Sequence, residues 1–157
     1  MIYENLIIQQ NVWPKLKDYY IKEKIPNAFL FHGQDGSGKE GHAIELAALI
    51  NCLDTSNMES CGKCLSCKKI KILQHGNLKL VHPLPRGKIN SSTESPFKSL
   101  TKSELEHYRN MLLLKSKNPY SKVQFSKSNS ILINSIRSLK KDLLLSHIEH
   151  GWNIVVI

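Results

Sequence analysis

All four cysteines of the chain fall within sixteen residues, in the pattern C-x8-C-x2-C-x2-C, as Cys52, Cys61, Cys64 and Cys67. The short spacings bring three sulfurs onto one tight turn, and Cys52 can supply the fourth corner of a tetrahedron. Four thiolates are typical of structural zinc sites, because they leave no open position for a reacting molecule. We therefore predict that these cysteines bind zinc in a structural role.

Two other chemistries use cysteines at comparable spacing. Disulfide bonds are rare in a reducing cytoplasm, and the N-terminus shows no secretion signal. An iron–sulfur cluster also uses C-x2-C-x2-C, but the proline-flanked fourth cysteine of that pattern is absent. Both remain alternatives to zinc.

A second group of residues follows the phosphate-binding pattern G-x-x-x-x-G-K and departs from it at the last position, where Ser or Thr is expected. Its glycines let backbone N–H groups turn inward around an anion, and its lysine neutralises phosphate charge. The missing hydroxyl is the one that holds magnesium. We name residues 33–40 the phosphate loop; its candidate nucleotide-contacting residues are Gly33, Gln34, Asp35, Gly36, Ser37, Gly38, Lys39 and Glu40. ATP binding here is left open, as is the alternative of an ordinary glycine-rich turn.

The elements around the phosphate loop are those that the pattern requires. A helix opening at Asn11 or Pro14 precedes an apolar run at 28–31, which predicts a buried strand. Apolar residues recur at helical spacing from Gly38 to about Ile50, so a helix follows the loop directly.

Later segments continue the alternation of helices and strands. A helix after the cysteines should end at Gly76, and residues 78–81 and 153–157 predict further strands, while 131–133 is a short β-branched run. Residues 86–129 are rich in Ser, Lys and Asn and are interpreted as an insertion, partly helical or mobile. Thr101 and Glu104 fit a capping box that opens a helix, which should end at Asn118 and Pro119. A helical stripe from Ile136 to Leu144 precedes the last strand. This order predicts a parallel α/β sheet.

Composition excludes some classes of protein and leaves others open. The 157 residues carry 22 Lys plus Arg and 13 Asp plus Glu, a formal charge of +9, and 41% are hydrophobic. Such a chain is an ordinary globular protein, and no apolar run reaches the roughly 20 residues that cross a bilayer. We expect a cytoplasmic protein with no membrane contact. The positive charge is compatible with an anionic partner, although a solvated lysine-rich surface is the simpler explanation, since charge runs are usually exposed faces.

The combination of a phosphate loop and a four-cysteine loop at the end of the next helix resembles the bacterial clamp-loader proteins of the AAA+ class. These are the delta-prime and gamma/tau subunits of DNA polymerase III. Further similar segments are Ile7-Ile8-Gln9-Gln10, Asn27-Ala28-Phe29-Leu30-Phe31-His32-Gly33, His75-Gly76-Asn77 and Ile133-Asn134-Ser135-Ile136-Arg137. The likeness covers about residues 5–83 and 130–157. Glu40 makes delta-prime the closer likeness, because the gamma/tau motor needs Ser or Thr there.

The resemblance implies an α/β, three-layer parallel-sheet P-loop domain with a four-cysteine zinc insert at 52–67. It implies a structural helper in loading the sliding clamp on primer-template DNA, in an assembly with gamma/tau and delta subunits. The acidic residues of the second nucleotide motif would follow Ile157, so we expect residues 1–157 to be a partial, truncated AAA+ domain without intrinsic ATPase activity.

Two other classes of function remain as alternatives. One is a gamma/tau-like subunit or another P-loop ATP-binding enzyme such as a nucleotide kinase. The other is a zinc-bearing nucleic-acid-binding module, supported by Lys63, Lys68, Lys69 and Lys71 around the cysteines. The seven histidines show no metal-binding spacing and are interpreted as surface or packing residues.

Overall fold

The computed structural model describes residues 1–55, 58–86, 95–126, 128–145 and 149–157. Five α-helices and two β-strands occur in these ranges, together with one turn of 3-10 helix at Pro96–Ser99. In chain order they are α1 (Trp13–Ile21), α2 (Lys39–Ile50), α3 (Leu65–Lys71), β1 (Leu78–Leu80), α4 (Lys102–Lys117), α5 (Ile133–Leu144) and β2 (Ile154–Val156). Among the described residues, no helix has the length and apolar character needed to cross a bilayer.

The two strands pair in parallel, in a register that places Leu78 beside Ile154 and Leu80 beside Val156. Backbone hydrogen bonds extend the pairing by one residue at each end, from Ile154 N to Asn77 O and from Val81 N to Val156 O. The predicted strands at 78–81 and 153–157 are thus confirmed, and their pairing is the parallel one that was expected. In the part of the chain that the structure describes, the sheet has these two strands.

The main core lies around α2. This helix is buried on nearly every side, since each residue from Ile44 to Leu49 is enclosed. Its small residues Ala47 and Ala48 let neighbouring elements approach closely. The cluster packed on it joins the N-terminal residues to α3 and both strands, with members Ile2, Tyr3, Leu6, Ile70, Leu78 and Val156.

A second apolar cluster lies mostly inside the segment interpreted as an insertion, with Leu84 just before it. It is built around α4, whose Thr101 capping box is present as predicted: Glu104 N donates to Thr101 Oγ1, and Thr101 N donates to the Glu104 carboxylate. The cluster comprises Leu84, Leu100, Tyr108, Met111, Val123 and Phe125. The described part of this segment therefore has a small core of its own.

One of the predicted strands is wrong. Residues 28–31 form no β-ladder: Phe29 and Phe31 turn toward α1, with Phe29 5.8 Å from the ring of Tyr19, while Leu30 is 89% exposed. The β-branched run at 131–133 leads into α5, because Leu132 is its N-cap and accepts a hydrogen bond from Ser135 N.

The end of α3 also differs from the prediction. The helix stops at Lys71, well before Gly76, because Leu73 takes a left-handed conformation with φ +59°. Backbone N–H groups of Leu73 and Gln74 then donate back to Ile70 O and Lys69 O, which satisfies the last carbonyls of the helix.

Candidate functional site

The four cysteines meet at the junction of three elements. Cys52 follows the end of α2, Cys61 and Cys64 lie on the turn that leads into α3, and Cys67 lies in the first turn of that helix. We call residues 52–67 the cysteine loop. Its turn depends on Gly62, where φ is +69° and an added Cβ would stand 3.0 Å from Met1 O.

The sulfur positions fit one tetrahedral metal ion. All four Sγ atoms lie within 4.8 Å of one another. Cys67 Sγ is 3.6 Å from Cys52 Sγ and 4.0 Å from Cys61 Sγ. Four sulfurs at about 2.3 Å from a zinc ion would be separated by roughly 3.8 Å. All four cysteines are free thiols, so the structure pairs none of them in the disulfide alternative.

Backbone amides already point at three of these sulfurs. Cys61 N donates to Cys52 Sγ, Cys64 N to Cys61 Sγ, and Cys67 N to Cys64 Sγ, at 3.3 to 3.4 Å. Hydrogen bonds from the amides of Cys64 and Lys63 lower the pKa of Cys61 to about 6, which favours its thiolate. Burial raises the pKa of Cys67. A divalent metal would supply the positive charge that this buried sulfur lacks.

The cysteine loop is fastened to the N-terminus and to α2. The Met1 ammonium donates to Ser60 O at 2.7 Å. Ser60 Oγ in turn donates to the carboxylate of Glu45, a fully buried residue of α2 that also accepts from the backbone N–H groups of Ile2 and Tyr3. Sequence patterns gave no sign of Glu45, because it occupies one position of the otherwise apolar stretch 43–50 of α2.

The phosphate loop lies at the opposite end of α2. Gly36 and Gly38 have φ +78° and +76°, and Gly38 is the N-cap of the helix. Lys39 Nζ donates to Gly33 O at 2.9 Å and to Gln34 O at 2.7 Å, so its ammonium lies against the carbonyls of its own loop. Twelve helical residues separate the two sites, a length of about 18 Å. The structure therefore does not bring the cysteines and the phosphate loop together.

The residue that breaks the phosphate-binding pattern has a specific partner. Glu40 Oε2 forms an ion pair with Lys115 Nζ, at a distance of 2.7 Å. The Lys115 side chain is 1% exposed, and its ammonium also donates to Pro119 O and Ser121 O. Sequence analysis missed Lys115 because the lysines of this segment look alike in a linear pattern, and only the fold shows which one is buried.

Further residues of the same segment lie on the phosphate loop. Lys122 Nζ pairs with the exposed carboxylate of Asp35 at 2.9 Å and lowers its pKa. The ring of Tyr120 lies 3.0 Å from the position of a Cβ on Gly38, and Pro119 lies 2.8 Å from one on Gly41. We call residues 115–122 the covering segment.

The basic residues beside the cysteines have different surroundings. Lys63 and Lys68 are exposed, whereas Lys69 pairs with Glu149 at 3.0 Å. Glu149 also accepts from Gly76 N, so Lys69 belongs to an internal contact that joins α3 to the segment before β2. A nucleic-acid surface at this place would therefore rest on fewer lysines than the sequence offers.

Two histidines pack inside the protein. His42 accepts from Gln9 N through Nε2 and lies 2.8 Å from Gly38 O through Nδ1, so it supports the end of the phosphate loop. His75 accepts from Asn77 N and contacts Ser66 Oγ at 3.1 Å. These are packing roles, as the sequence predicted.

The sequence matches a known family over nearly its whole length. A family model described as "DNA polymerase III, delta subunit" matches residues 8–157. DNA polymerase III subunit delta' of Bacillus subtilis (strain 168) is 28% identical over 107 residues, which cover 68% of this chain and 32% of that protein. DNA polymerase III subunit gamma/tau of Mycoplasma genitalium is 34% identical over 62 residues, 40% of this chain and 10% of that protein.

A third relative comes from a plant. Protein STICHEL of Arabidopsis thaliana is 36% identical over 67 residues, 43% of this chain and 6% of that protein. No solved structure matches the chain significantly. The matched part spans about a third of the delta' relative and far less of the other two. The continuous match from residue 8 to residue 157 identifies this chain as a member of the DNA polymerase III delta-subunit family.

Proposed function

We propose that the chain acts as a delta-prime-like subunit of the DNA polymerase III clamp loader, a structural helper rather than a motor. The observation that carries this proposal is Glu40, which stands in the phosphate loop where a magnesium-binding hydroxyl is needed and is ion-paired with Lys115. A gamma/tau-like ATP-binding enzyme or a nucleotide kinase would need that hydroxyl free. The family match supports membership of the chain in the clamp-loader complex. The altered phosphate loop supports a non-catalytic role within that complex.

The proposed partners are gamma/tau and delta subunits, and through them the sliding clamp and primer-template DNA. The test is co-expression of the full chain with tagged gamma/tau and delta from the same organism, followed by affinity capture and size-exclusion chromatography. We expect stoichiometric co-elution that persists at moderate salt. Elution of the chain by itself, while gamma/tau and delta form their own complex, would contradict the proposal.

We further propose that Cys52, Cys61, Cys64 and Cys67 bind one structural zinc ion. Sulfur separations of 3.6 and 4.0 Å support this proposal, since they bracket the spacing around a tetrahedral zinc ion. The zinc would neutralise thiolates and hold the cysteine loop on α3. Elemental analysis of the purified protein should give about one zinc per chain and a colourless solution. A brown protein with iron and acid-labile sulfide would indicate the iron–sulfur alternative instead.

Absence of ATP turnover is a separate proposal about the phosphate loop. Even if a nucleotide binds, residue 40 offers no hydroxyl to magnesium, and one oxygen of its carboxylate is paired with Lys115. A steady-state ATPase assay on the full chain should give no rate above background. ATPase activity that disappears in Lys39→Ala would contradict it.

A zinc-bearing nucleic-acid module is the remaining alternative, favoured by the exposure of Lys63 and Lys68. It predicts affinity for isolated DNA that falls steeply with salt. The double variant Lys63→Ser/Lys68→Ser separates the two functions: loss of DNA affinity with intact co-elution would assign these lysines to DNA contact within the assembly.

A further inference from the structure

The covering segment contacts the phosphate loop and its helix at several separate places. Lys115 pairs with Glu40, Lys122 pairs with Asp35, and Tyr120 and Pro119 lie against the glycines of the loop and of α2. The covering segment comprises the last residues of α4 and those that follow it, and Lys115 lies 75 residues after Glu40. Distant parts of the sequence thus meet at the phosphate loop.

At position 40, the contact between Glu40 and Lys115 takes the place of a contact between a hydroxyl and a magnesium ion. In a working phosphate loop, residue 40 would offer a hydroxyl to a magnesium ion that also holds the nucleotide phosphates. Here a carboxylate takes that position, and an ammonium stands 2.7 Å from it. The residues present do not fit the usual magnesium site, because position 40 has no hydroxyl and Lys115 Nζ already stands 2.7 Å from one of the two carboxylate oxygens of Glu40.

The ammonium of Lys115 is held firmly in this place. Its side chain is 1% exposed, and the carbonyls of Pro119 and Ser121 accept its other hydrogen bonds. The Glu40 side chain, by contrast, is 32% exposed, so separating the pair would leave the Lys115 ammonium, and not the carboxylate, without its counter-charge in a low-dielectric interior. The pair is therefore anchored by the buried lysine.

The covering segment is also attached to the N-terminal residues. Ile7 N donates to Tyr120 Oη at 2.7 Å, and Asn5 Nδ2 lies 3.5 Å from Lys117 O. The Tyr120 ring is thereby held over Gly38, the residue from which α2 begins. Contacts on two sides of the phosphate loop keep the segment in place.

We propose that the covering segment closes the phosphate loop to magnesium nucleotides, with the Lys115 ammonium standing in place of the divalent cation beside residue 40. This inference rests on the proposed non-catalytic function. It adds a physical reason why the phosphate loop would not bind magnesium nucleotide: a contact within the chain closes the loop, in addition to the loss of a hydroxyl.

The test measures nucleotide binding by the full chain, with a fluorescent ADP analogue titrated in the presence and absence of magnesium. The wild-type chain should show no magnesium-dependent binding. The double variant Glu40→Ser/Lys115→Met restores the hydroxyl and removes the ammonium, so its affinity in magnesium should rise by at least about tenfold. Glu40→Ser/Lys117→Met is the matched control, because Lys117 is an exposed lysine of the same helix.

Thermal unfolding shows whether the ion pair is fixed as the structure has it. Glu40→Ser alone leaves the buried Lys115 ammonium without its counter-charge, so it should lower Tm more than the double variant does. Lys115→Met alone leaves the carboxylate of a side chain that is 32% exposed, so its effect on Tm should be smaller. Hydrogen exchange of residues 33–41 should also be faster in Lys115→Met than in Lys117→Met. If a single variant fails to fold, the double variant still tests the inference.

Two results would overturn the inference: a wild-type chain that binds magnesium nucleotide as tightly as the double variant does, or a folded double variant that gains no binding. These measurements use the chain by itself. A chain that fails to co-elute with clamp-loader subunits would therefore contradict the proposed function without changing the nucleotide-binding result. Likewise, a failed nucleotide-binding test would overturn the inference without changing the co-elution result.

Discussion

Glu45 connects the N-terminal residues, α2 and the cysteine loop through its side chain. Its buried carboxylate on α2 accepts hydrogen bonds from the backbone of Ile2 and Tyr3 and from the hydroxyl of Ser60. Three protein groups therefore depend on one carboxylate, and the N-terminus, α2 and the cysteine loop meet there. A carboxylate suits this place because all three groups donate to it.

The first prediction concerns this carboxylate. Glu45→Gln replaces one acceptor oxygen by an NH2 group that faces donors, so a buried N–H loses its partner. The free energy of unfolding should fall by about 2–3 kcal/mol, measured by urea denaturation. Glu4→Gln is the control, because Glu4 is an exposed glutamate near the same end of the chain. Equal stability of the two variants would show that the Glu45 hydrogen bonds contribute little.

The second prediction concerns His82, which packs beside Tyr108 near the Glu40–Lys115 pair. Burial lowers the pKa of His82 below its ordinary value of 6.5, so the unfolded chain takes up this proton more readily than the folded protein does. Stability from this group is complete above pH 6.5 and is lost as the pH falls toward the lowered pKa.

His82→Phe removes this proton uptake and keeps an aromatic ring. Between pH 7 and pH 5 its unfolding free energy should fall less steeply than that of the wild type, by up to about 1.4 kcal/mol per pH unit. Urea denaturation at several pH values measures the two slopes. Parallel curves would mean that His82 has the same pKa in the folded and unfolded chain.

At the scale of elements, the cysteine loop and α3 depend on each other. Helix α3 has seven residues, too few to be stable by itself. Its N-cap is Cys64, whose sulfur accepts from Cys67 N, so two proposed metal ligands also begin the helix. Removing the metal should therefore also weaken the capping of α3 by Cys64.

The third prediction tests this dependence. Cys61→Ser, or treatment with a strong chelator, should lower Tm by several degrees and reduce helical circular dichroism as α3 loosens. Lys63→Ser is the matched control, since Lys63 lies on the same turn and is exposed. Unchanged Tm after complete metal removal would show that the cysteine loop is stable without an ion.

How far the sequence predicts these elements depends on how local each one is. The C-x2-C-x2-C spacing, the Thr101 capping box and the glycines of the phosphate loop act within a few residues, and the structure has each in the expected place. The aromatic residues Phe29 and Phe31 were misread, because an apolar run suits a strand and equally suits packing on α1. Lys115 was missed because its partner lies 75 residues away.

At the scale of the whole molecule, β2 is joined to α2 as well as to β1. Asn51, just after α2, accepts from Trp152 N through Oδ1 and donates to Trp152 O through Nδ2. Gly151 has φ +114°, and a Cβ there would stand 2.2 Å from Asn51 Oδ1. A glycine is required because both the backbone conformation and the close approach exclude a side chain.

The fourth prediction compares two glycines with positive φ. Gly151→Ala should lower the free energy of unfolding by about 3 kcal/mol or more, because strain and a steric clash add together. Gly36→Ala meets no atom within 4 Å and should cost only about 1–2 kcal/mol from its backbone conformation. Chemical denaturation measures both. Equal losses would indicate that Asn51 moves aside freely.

The pairing of β1 with β2 also sets an order of folding. Leu78 pairs with Ile154, so the ladder joins residues 76 positions apart, whereas the cysteine loop closes within sixteen. Closing the longer loop costs more chain entropy and waits for the later residue to be synthesised. On the ribosome, the cysteine loop can form while β1 still lacks its partner, so metal binding would precede completion of the sheet.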